Sequence, residues 1–190
     1  MKVTSLEIPD VLLIEPVVHR DDRGYFKETY RQLDYQKMGI SQSFVQDNQT
    51  SSIRGTLRGL HYQIPNPQGK LLQVLQGRIF DVAVDMRAAS NSLGKWVAIE
   101  LAAENHNQLW IPPGFAHGFY VLSSQADVAY KVTRYYNPTA ERVLLWNDPE
   151  LGIPWPLQNL PPPLLSEKDR QGQPMGSCQL YTPEAIEQDA

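Results

Sequence analysis

The sequence predicts an all-β protein, a jelly-roll sandwich or barrel with a few short helices, and three observations carry that prediction. Between about residues 44 and 146 the apolar positions recur with a period of two, the spacing of strands whose alternate side chains face opposite sides. β-Branched and aromatic residues fill those runs, as a pleated, half-buried surface favours. Turn-forming clusters interrupt them at short intervals: Asn66-Pro67-Gln68-Gly69, Gln76-Gly77, Asn91-Ser92-Leu93-Gly94, Pro112-Pro113-Gly114 and Asn137-Pro138. Many short strands with few helical patterns between them point to stacked sheets, not to a βαβ sheet.

Each element has its own signature. In Phe80-Asp81-Val82-Ala83-Val84-Asp85-Met86 the even positions are large and apolar, while Asp81 and Asp85 face the other way. Residues 95–101 (KWVAIEL) and 128–136 (VAYKVTRYY) read as further strands, the second placing Tyr130, Val132, Arg134 and Tyr136 on one face. One helix is expected at about 28–38, with Thr29 as cap and Tyr30, Leu33 and Lys37 on a shared face. The 15 prolines among 190 residues disfavour long helices elsewhere. Beyond Asn147 the chain turns irregular (DPELGIPWP, then NLPPPLL), and a polar tail from 171 onward is expected to pack loosely or fray. With no internal repeat, charge block or flexible linker, the chain reads as one domain over 1–190, of which 171–190 is the tail.

Composition narrows the function. At 42% hydrophobic and 20% charged the chain can bury a core. Seventeen Lys+Arg against 21 Asp+Glu give a net charge of −4, without the clustered basic excess of a nucleic-acid binder. The early apolar run Val11–Ile14, closed by Pro16, falls far short of the ~20 residues of a membrane span and is too short for a signal-peptide core. Cys178, the single cysteine, excludes an internal disulfide and a thiolate metal cluster. The expectation is a soluble, cytoplasmic protein that engages neither nucleic acid nor membrane.

Three segments carry more polar groups than a plain β-core needs: residues 54–63 (RGTLRGLHYQ), 112–119 (PPGFAHGF), and 130–136 (YKVTRYY) with Ser166-Glu167-Lys168-Asp169 at a distance. A metal-binding jelly roll of the cupin class offers His-x-His, a following Glu, and a third His after a Pro-x-Gly-x-x-His turn. Pro112-x-Gly114-x-x-His117 matches the turn, but Gln63 stands where the second His belongs and no Glu follows before Lys70. Two imidazoles and an amide make a poor site for zinc or iron. The expectation is therefore acid–base work with no metal and no cofactor. His61 takes a proton near neutral pH, a carboxylate can orient its ring, and a tyrosine can serve as the opposing donor. Against this, pattern alone favours reading the same tyrosines as core aromatics whose hydroxyls reach a rim.

The runs RGLHYQ, PPGFAHGF, YKVTRYYNP, WNDPELGIPWP and LSEKD, with Asp21–Glu28 (DDRGYFKE) and Gln46-Asp47-Asn48, resemble the dTDP-4-dehydrorhamnose 3,5-epimerase family over about residues 3–170. The resemblance implies a metal-free, cupin-like jelly roll, a homodimer, and a dTDP-linked 4-keto-6-deoxy sugar as substrate. It further implies His61 as base, held by Asp169, with Tyr130 as acid and Lys70 beside the C4 oxygen. For binding it implies Arg23, Glu28, Gln46, Asp47, Asn48 and Arg58 (a diphosphate ligand), together with His117, Glu141, Lys168, and Tyr136 against the thymine or the sugar.

The residues leave other roles open for several of these positions. Arg23 follows two aspartates and can pair with them in a surface turn, and Glu141 with Arg142 reads as a solvated pair. Gln46 and Asn48 share strand parity, which sets Asp47 apart. Strict alternation sends Arg58 and His61 to opposite faces unless Gly59 forms a bulge. Arg134 stands where the family pattern has an acidic residue. His19 and His106 match nothing and read as surface or turn residues. Besides the 3,5-epimerase, a single-carbon epimerase and a non-catalytic nucleotide-sugar-binding cupin fit the same motifs.

Overall fold

The computed structural model describes residues 1–158 and 162–183. In chain order the elements are β1 (Lys2–Ser5), β2 (Leu12–Glu15), β3 (Val18–Asp21), β4 (Gly24–Lys27), α1 (Gln32–Lys37), β5 (Gln46–Ile53), β6 (Leu57–Gln63) and β7 (Lys70–Gln76). There follow β8 (Arg78–Asp85), β9 (Trp96–Ala102), β10 (Gln108–Ile111), β11 (Phe115–Val121), β12 (Gln125–Val132), β13 (Glu141–Val143) and α2 (Glu167–Arg170). A six-stranded sheet runs β1-β2-β10-β7-β12-β5, a five-stranded sheet runs β13-β6-β11-β8-β9, and β3-β4 form a separate hairpin. Stacked face to face, the two large sheets make the predicted jelly-roll sandwich. No helix among the described residues is long and apolar enough to cross a membrane.

Alternation explains how three apolar layers arise from two sheets. Between the sheets lie Leu72, Val74, Leu109, Ile111 and Val128 from one, and Ile79, Ala83, Val97, Phe115 and Phe119 from the other. The outer face of the six-stranded sheet offers Ile14, Leu71 and Trp110, which Tyr35 and Ile40 of the α1 region cover. On the outer face of the five-stranded sheet Leu57, Leu60, Val82, Val84 and Ala116 are covered by Trp155 and Tyr181. Burying large side chains on all four sheet faces contributes ~1.5–3 kcal/mol per fully buried residue.

The structure corrects several local expectations. The helix is a short Gln32–Lys37, its N-cap is Arg31 without a side-chain cap bond, and the buried member of its face is Tyr35, whereas Leu33 is exposed. Thr29 instead offers its carbonyl to the Gln108 amide at 2.7 Å and to the Tyr35 hydroxyl at 3.1 Å. β12 ends at Val132, so Arg134 and Tyr136 lie beyond the strand and its alternation. α2 was not anticipated, and His106 is buried at a left-handed turn, where its Nε2 lies 3.0 Å from the Arg20 guanidinium. The tail is docked, not loose, as far as it is described. Tyr181 is 1% exposed, its N–H donates to the Met86 carbonyl at 3.0 Å, and its hydroxyl accepts from the Gln63 N–H at 3.2 Å. Met175, Cys178 and Leu180 pack against the same cluster, so a few apolar side chains dock a segment whose average composition reads as polar. Residues 159–161 of the NLPPPLL stretch and 184–190 of the tail lie outside the described residues.

Candidate active site

A cavity of about 320 Å³ opens between the two sheets, a size suited to a small organic ligand. Its six-stranded wall contributes Gln46, Asn48 and Thr50 from β5, Lys70 from β7 and Tyr130 from β12; the five-stranded wall contributes Arg58, His61 and Gln63 from β6 and His117 from β11. Tyr136, Glu141 and Lys168 also line it, as do Tyr62, Gln68, Gly118 and Phe119. His61 and Tyr130 therefore stand on opposite walls, the placement that proton removal on one face and delivery on the other requires.

A bulge in β6 brings Arg58 and His61 to the same side. Opposite β11, His117 pairs with His61 and Phe119 with Arg58, so two steps along β11 span three along β6. Gly59 takes φ +129°, and a Cβ there would sit 2.5 Å from the Cα of Gly118; a Cβ on Gly118 would sit 2.5 Å from the Arg58 carbonyl oxygen. Two facing glycines let the strands close at the bulge. Arg58 is then steadied by Ser52, whose hydroxyl accepts from Nε at 2.9 Å.

His61 Nε2 lies 2.5 Å from Asp169 Oδ1. An ionised carboxylate only accepts, so Nε2 carries the proton and Nδ1 keeps the free lone pair. Burial alone raises the Asp169 carboxyl, but hydrogen bonds from His61, from Ser166 and from the Gly59 N–H outweigh it and hold the group below its ordinary value. The 108 residues between the partners are closed by α2, a single helical turn seated against β6.

A second histidine–carboxylate pair lies deeper. His117 Nε2 is 2.9 Å from Asp81 Oδ2 and 3.1 Å from Oδ1, and Asp81 is fully buried. Burial pushes His117 down despite the pull of Asp81, with Lys70 and His61 adding to the fall. Lys70, 8% exposed, is pushed down by burial to about 8, while Asp81 and Glu141 favour its charge. Its Nζ reaches the His61 carbonyl at 3.4 Å. Tyr130 is raised by burial, against the pull of Arg58 and Lys168, so its phenol stays protonated at neutral pH.

Tyr136 reaches the cavity from a turn that two glutamines hold. Gln46 Oε1 accepts its N–H at 3.0 Å, and Gln63 Oε1 accepts the next N–H, of Asn137, at 2.8 Å. Gln63 Nε2 donates to the Asn66 carbonyl at 3.0 Å, so the amide in place of a cupin's second histidine is spent on backbone. The Tyr136 hydroxyl donates to Glu141 Oε2 at 3.0 Å, and Lys168 Nζ lies 2.8 Å from both Glu141 oxygens. Among the described residues no group of three His, Cys, Asp or Glu side chains is placed to hold a metal ion.

Of the fourteen residues singled out in the sequence, ten line the cavity and Asp169 stands behind His61. Arg23, Glu28 and Asp47 do not line it. Arg23 is 89% exposed and pairs with Asp21, Glu28 pairs with Arg31, and Asp47 turns to the outer sheet face to meet Lys131 at 2.8 Å. Arg134 is not among the lining residues either. Among the residues that escaped the sequence reading are Asp81, which backs His117, and Thr50, which lines the cavity. Asp81 looked like the polar half of an alternating strand, although both faces of β8 are buried. Thr50 shares the parity of Gln46 and Asn48, and its buried hydroxyl has no hydrogen-bond partner.

The chain is similar over most of its length to known proteins. The family model described as dTDP-4-dehydrorhamnose 3,5-epimerase matches residues 5–176. A protein of that name from Pseudomonas aeruginosa is 54% identical over 182 residues, 95% of this chain and 99% of the relative. The dTDP-6-deoxy-D-glucose-3,5-epimerase of Legionella pneumophila, solved with dTDP-4-keto-L-rhamnose, superposes with a TM-score of 0.91 at 45% identity, covering 97% of this chain and 96% of that one. A 3'-monoepimerase from Streptomyces bikiniensis, solved with dTDP-quinovose, gives a TM-score of 0.88 at 32% identity, covering 97% and 96%. With the matched span enclosing every cavity residue from Gln46 to Lys168, the chain belongs to the dTDP-4-dehydrorhamnose 3,5-epimerase family, a family of isomerases.

Proposed function

We propose that the protein inverts C3 and C5 of dTDP-4-dehydro-6-deoxy-D-glucose to give dTDP-4-dehydro-L-rhamnose, a step in the making of dTDP-L-rhamnose. The observation that carries this reading is the placement of His61, backed by Asp169, across the cavity from Tyr130, with the Lys70 ammonium between the sheets. Carbons 3 and 5 both flank the C4 ketone, so removal of either proton gives an enolate whose charge rests on the C4 oxygen. His61 takes the proton at Nδ1, Lys70 stabilises the enolate oxygen, and Tyr130 delivers a proton to the opposite face of the same carbon. The charge on His61 and Tyr130 is restored when solvent removes one proton and supplies another. Asp169 stabilises the imidazolium in between.

In this reading Arg58 faces the diphosphate, for which its planar fork of donors is suited, and Tyr136 stacks on the thymine. Gln46, Asn48, His117, Glu141 and Lys168 contact the remaining ligand. Arg23, Glu28 and Asp47 are kept as nucleotide contacts only outside the cavity of a single chain. The exposed edge of β5 and the β3-β4 hairpin, with Tyr25 56% and Phe26 65% exposed, support a homodimer. We further propose one cytoplasmic domain working without metal or other cofactor.

The reading is tested by incubating the protein with dTDP-4-keto-6-deoxyglucose and assigning the product by proton coupling constants. Inversion at both carbons is expected. Inversion at C3 alone would favour the second reading, a single-carbon epimerase, to which the likeness to the Streptomyces bikiniensis 3'-monoepimerase gives weight.

A further inference from the structure

Asp169 serves two structures with two different oxygens. Oδ1 accepts from His61 Nε2 at 2.5 Å and from the Gly59 N–H at 3.4 Å. Oδ2 accepts from the Ser166 hydroxyl at 2.6 Å and from the Ser166 N–H at 3.4 Å. Ser166 is the N-cap of α2 and Asp169 its third residue, and the Asp169 N–H returns a bond to the Ser166 hydroxyl at 3.2 Å. This is a capping box, a motif that ordinarily serves only to satisfy backbone groups at a helix start. Here its acidic member is 2% exposed and faces the cavity histidine, so little water reaches the carboxylate to replace a lost partner.

We propose that Ser166 is a positioning residue for the epimerase: its hydroxyl locks the Asp169 carboxylate so that Oδ1 alone is presented to His61 Nε2. Without that hydroxyl, Oδ2 keeps only the long bond from the Ser166 N–H at 3.4 Å, which holds the broad Cβ–Cγ torsion far less tightly than the hydroxyl at 2.6 Å. The Ser166 hydroxyl thus narrows that freedom, fixing the imidazole ring and its tautomer at one remove. A hydroxyl donating to a buried, charged acceptor is among the stronger hydrogen bonds. The inference rests on the reading of His61 as the base.

Glycine caps a helix nearly as well as serine but has no hydroxyl, whereas alanine caps poorly. The test therefore compares Ser166→Gly, Ser166→Ala and Ser166→Thr for kcat, KM and Tm. Glycine and alanine variants are expected to lose kcat by a similar factor, about ten- to hundredfold for one charge-assisted hydrogen bond. KM should stay within about twofold, because Ser166 is not among the residues that line the cavity, and threonine should restore kcat. A glycine variant with wild-type kcat, or losses that follow Tm and spare glycine, would reduce Ser166 to a helix cap and overturn the proposal. His61→Ala is measured alongside. If it still exchanges the substrate's H3 and H5, the base assignment itself has failed; if it is inert while Ser166→Gly is fully active, only the role of Ser166 has.

Discussion

Replacing Gly118 with alanine tests how the bulge aims the site. Gly118 has ordinary strand backbone, so the substitution adds contact without φ strain. Its Cβ would meet the Arg58 carbonyl oxygen at 2.5 Å, the Gly59 Cα at 2.9 Å and the Leu60 Cδ2 at 3.1 Å, where ordinary contact starts at 3.4 Å. The first two are backbone atoms that no rotamer change can move, so β6 and β11 must part by roughly 0.9 Å at the bulge. Overpacking of this kind costs about 2 kcal/mol. In a chain of this length that lowers Tm by about 4–8 °C. The displacement also falls between Arg58 and His61, and a misplacement of about 1 Å at a reacting group costs on the order of 100-fold in rate. Calorimetry and the coupled epimerase assay read the two effects separately. A Gly118→Ala protein with wild-type Tm and full kcat/KM would refute the claim that close backbone approach at the bulge sets the site.

Tyr130→Phe should leave His61 able to remove protons, so H3 exchange with D2O persists while net inversion falls by about 10²–10⁴-fold; equal loss of both would assign Tyr130 some other role. Lys70 is held near 8 by burial, so its ammonium, and the enolate stabilisation it provides, is lost as pH rises through that value. Wild-type kcat/KM, which reports groups of the free protein, should therefore fall on the alkaline side of about 8, and Lys70→Arg, slower at neutral pH, should lack that limb; its survival in the variant would place the titration elsewhere. Tyr181→Ala removes a fully packed aromatic that also holds the Gln63 N–H, and should destabilise the fold by about 3 kcal/mol. An unchanged urea midpoint would mean that the tail contributes nothing.

The two-residue period and the turn clusters made the sandwich legible, because alternation and punctuation are local signals. The neighbourhood of Gly59 was legible for a related reason: Arg58 and His61 demand the same side, and a glycine between them offers the means. Cross-sheet partnership was not legible. Asp81 alternates like a solvent-facing aspartate, yet it meets His117 in the sandwich interior, since β8 is covered on both faces. Alternation from Tyr130 to Tyr136 suggested one strand, but the strand stops at Val132 and Gln46 and Gln63 carry Tyr136 into place through backbone hydrogen bonds. Parity did separate Asp47 from Gln46 and Asn48, although its partner, Lys131, required the β5-β12 register. Arg23 fell where its own neighbour, Asp21, could hold it. Asp169, 108 residues from His61, was placed by family resemblance alone, and its capping box by none of these signals.

The central claim is that His61 removes the protons flanking the C4 ketone. Proton NMR in D2O with dTDP-4-keto-6-deoxyglucose tests it most directly, following the H3 and H5 signals with wild type and His61→Ala. The account predicts loss of both signals with the wild-type protein and their persistence with the variant. Exchange by His61→Ala at the wild-type rate, or a bound ligand that the wild type never exchanges, would contradict it.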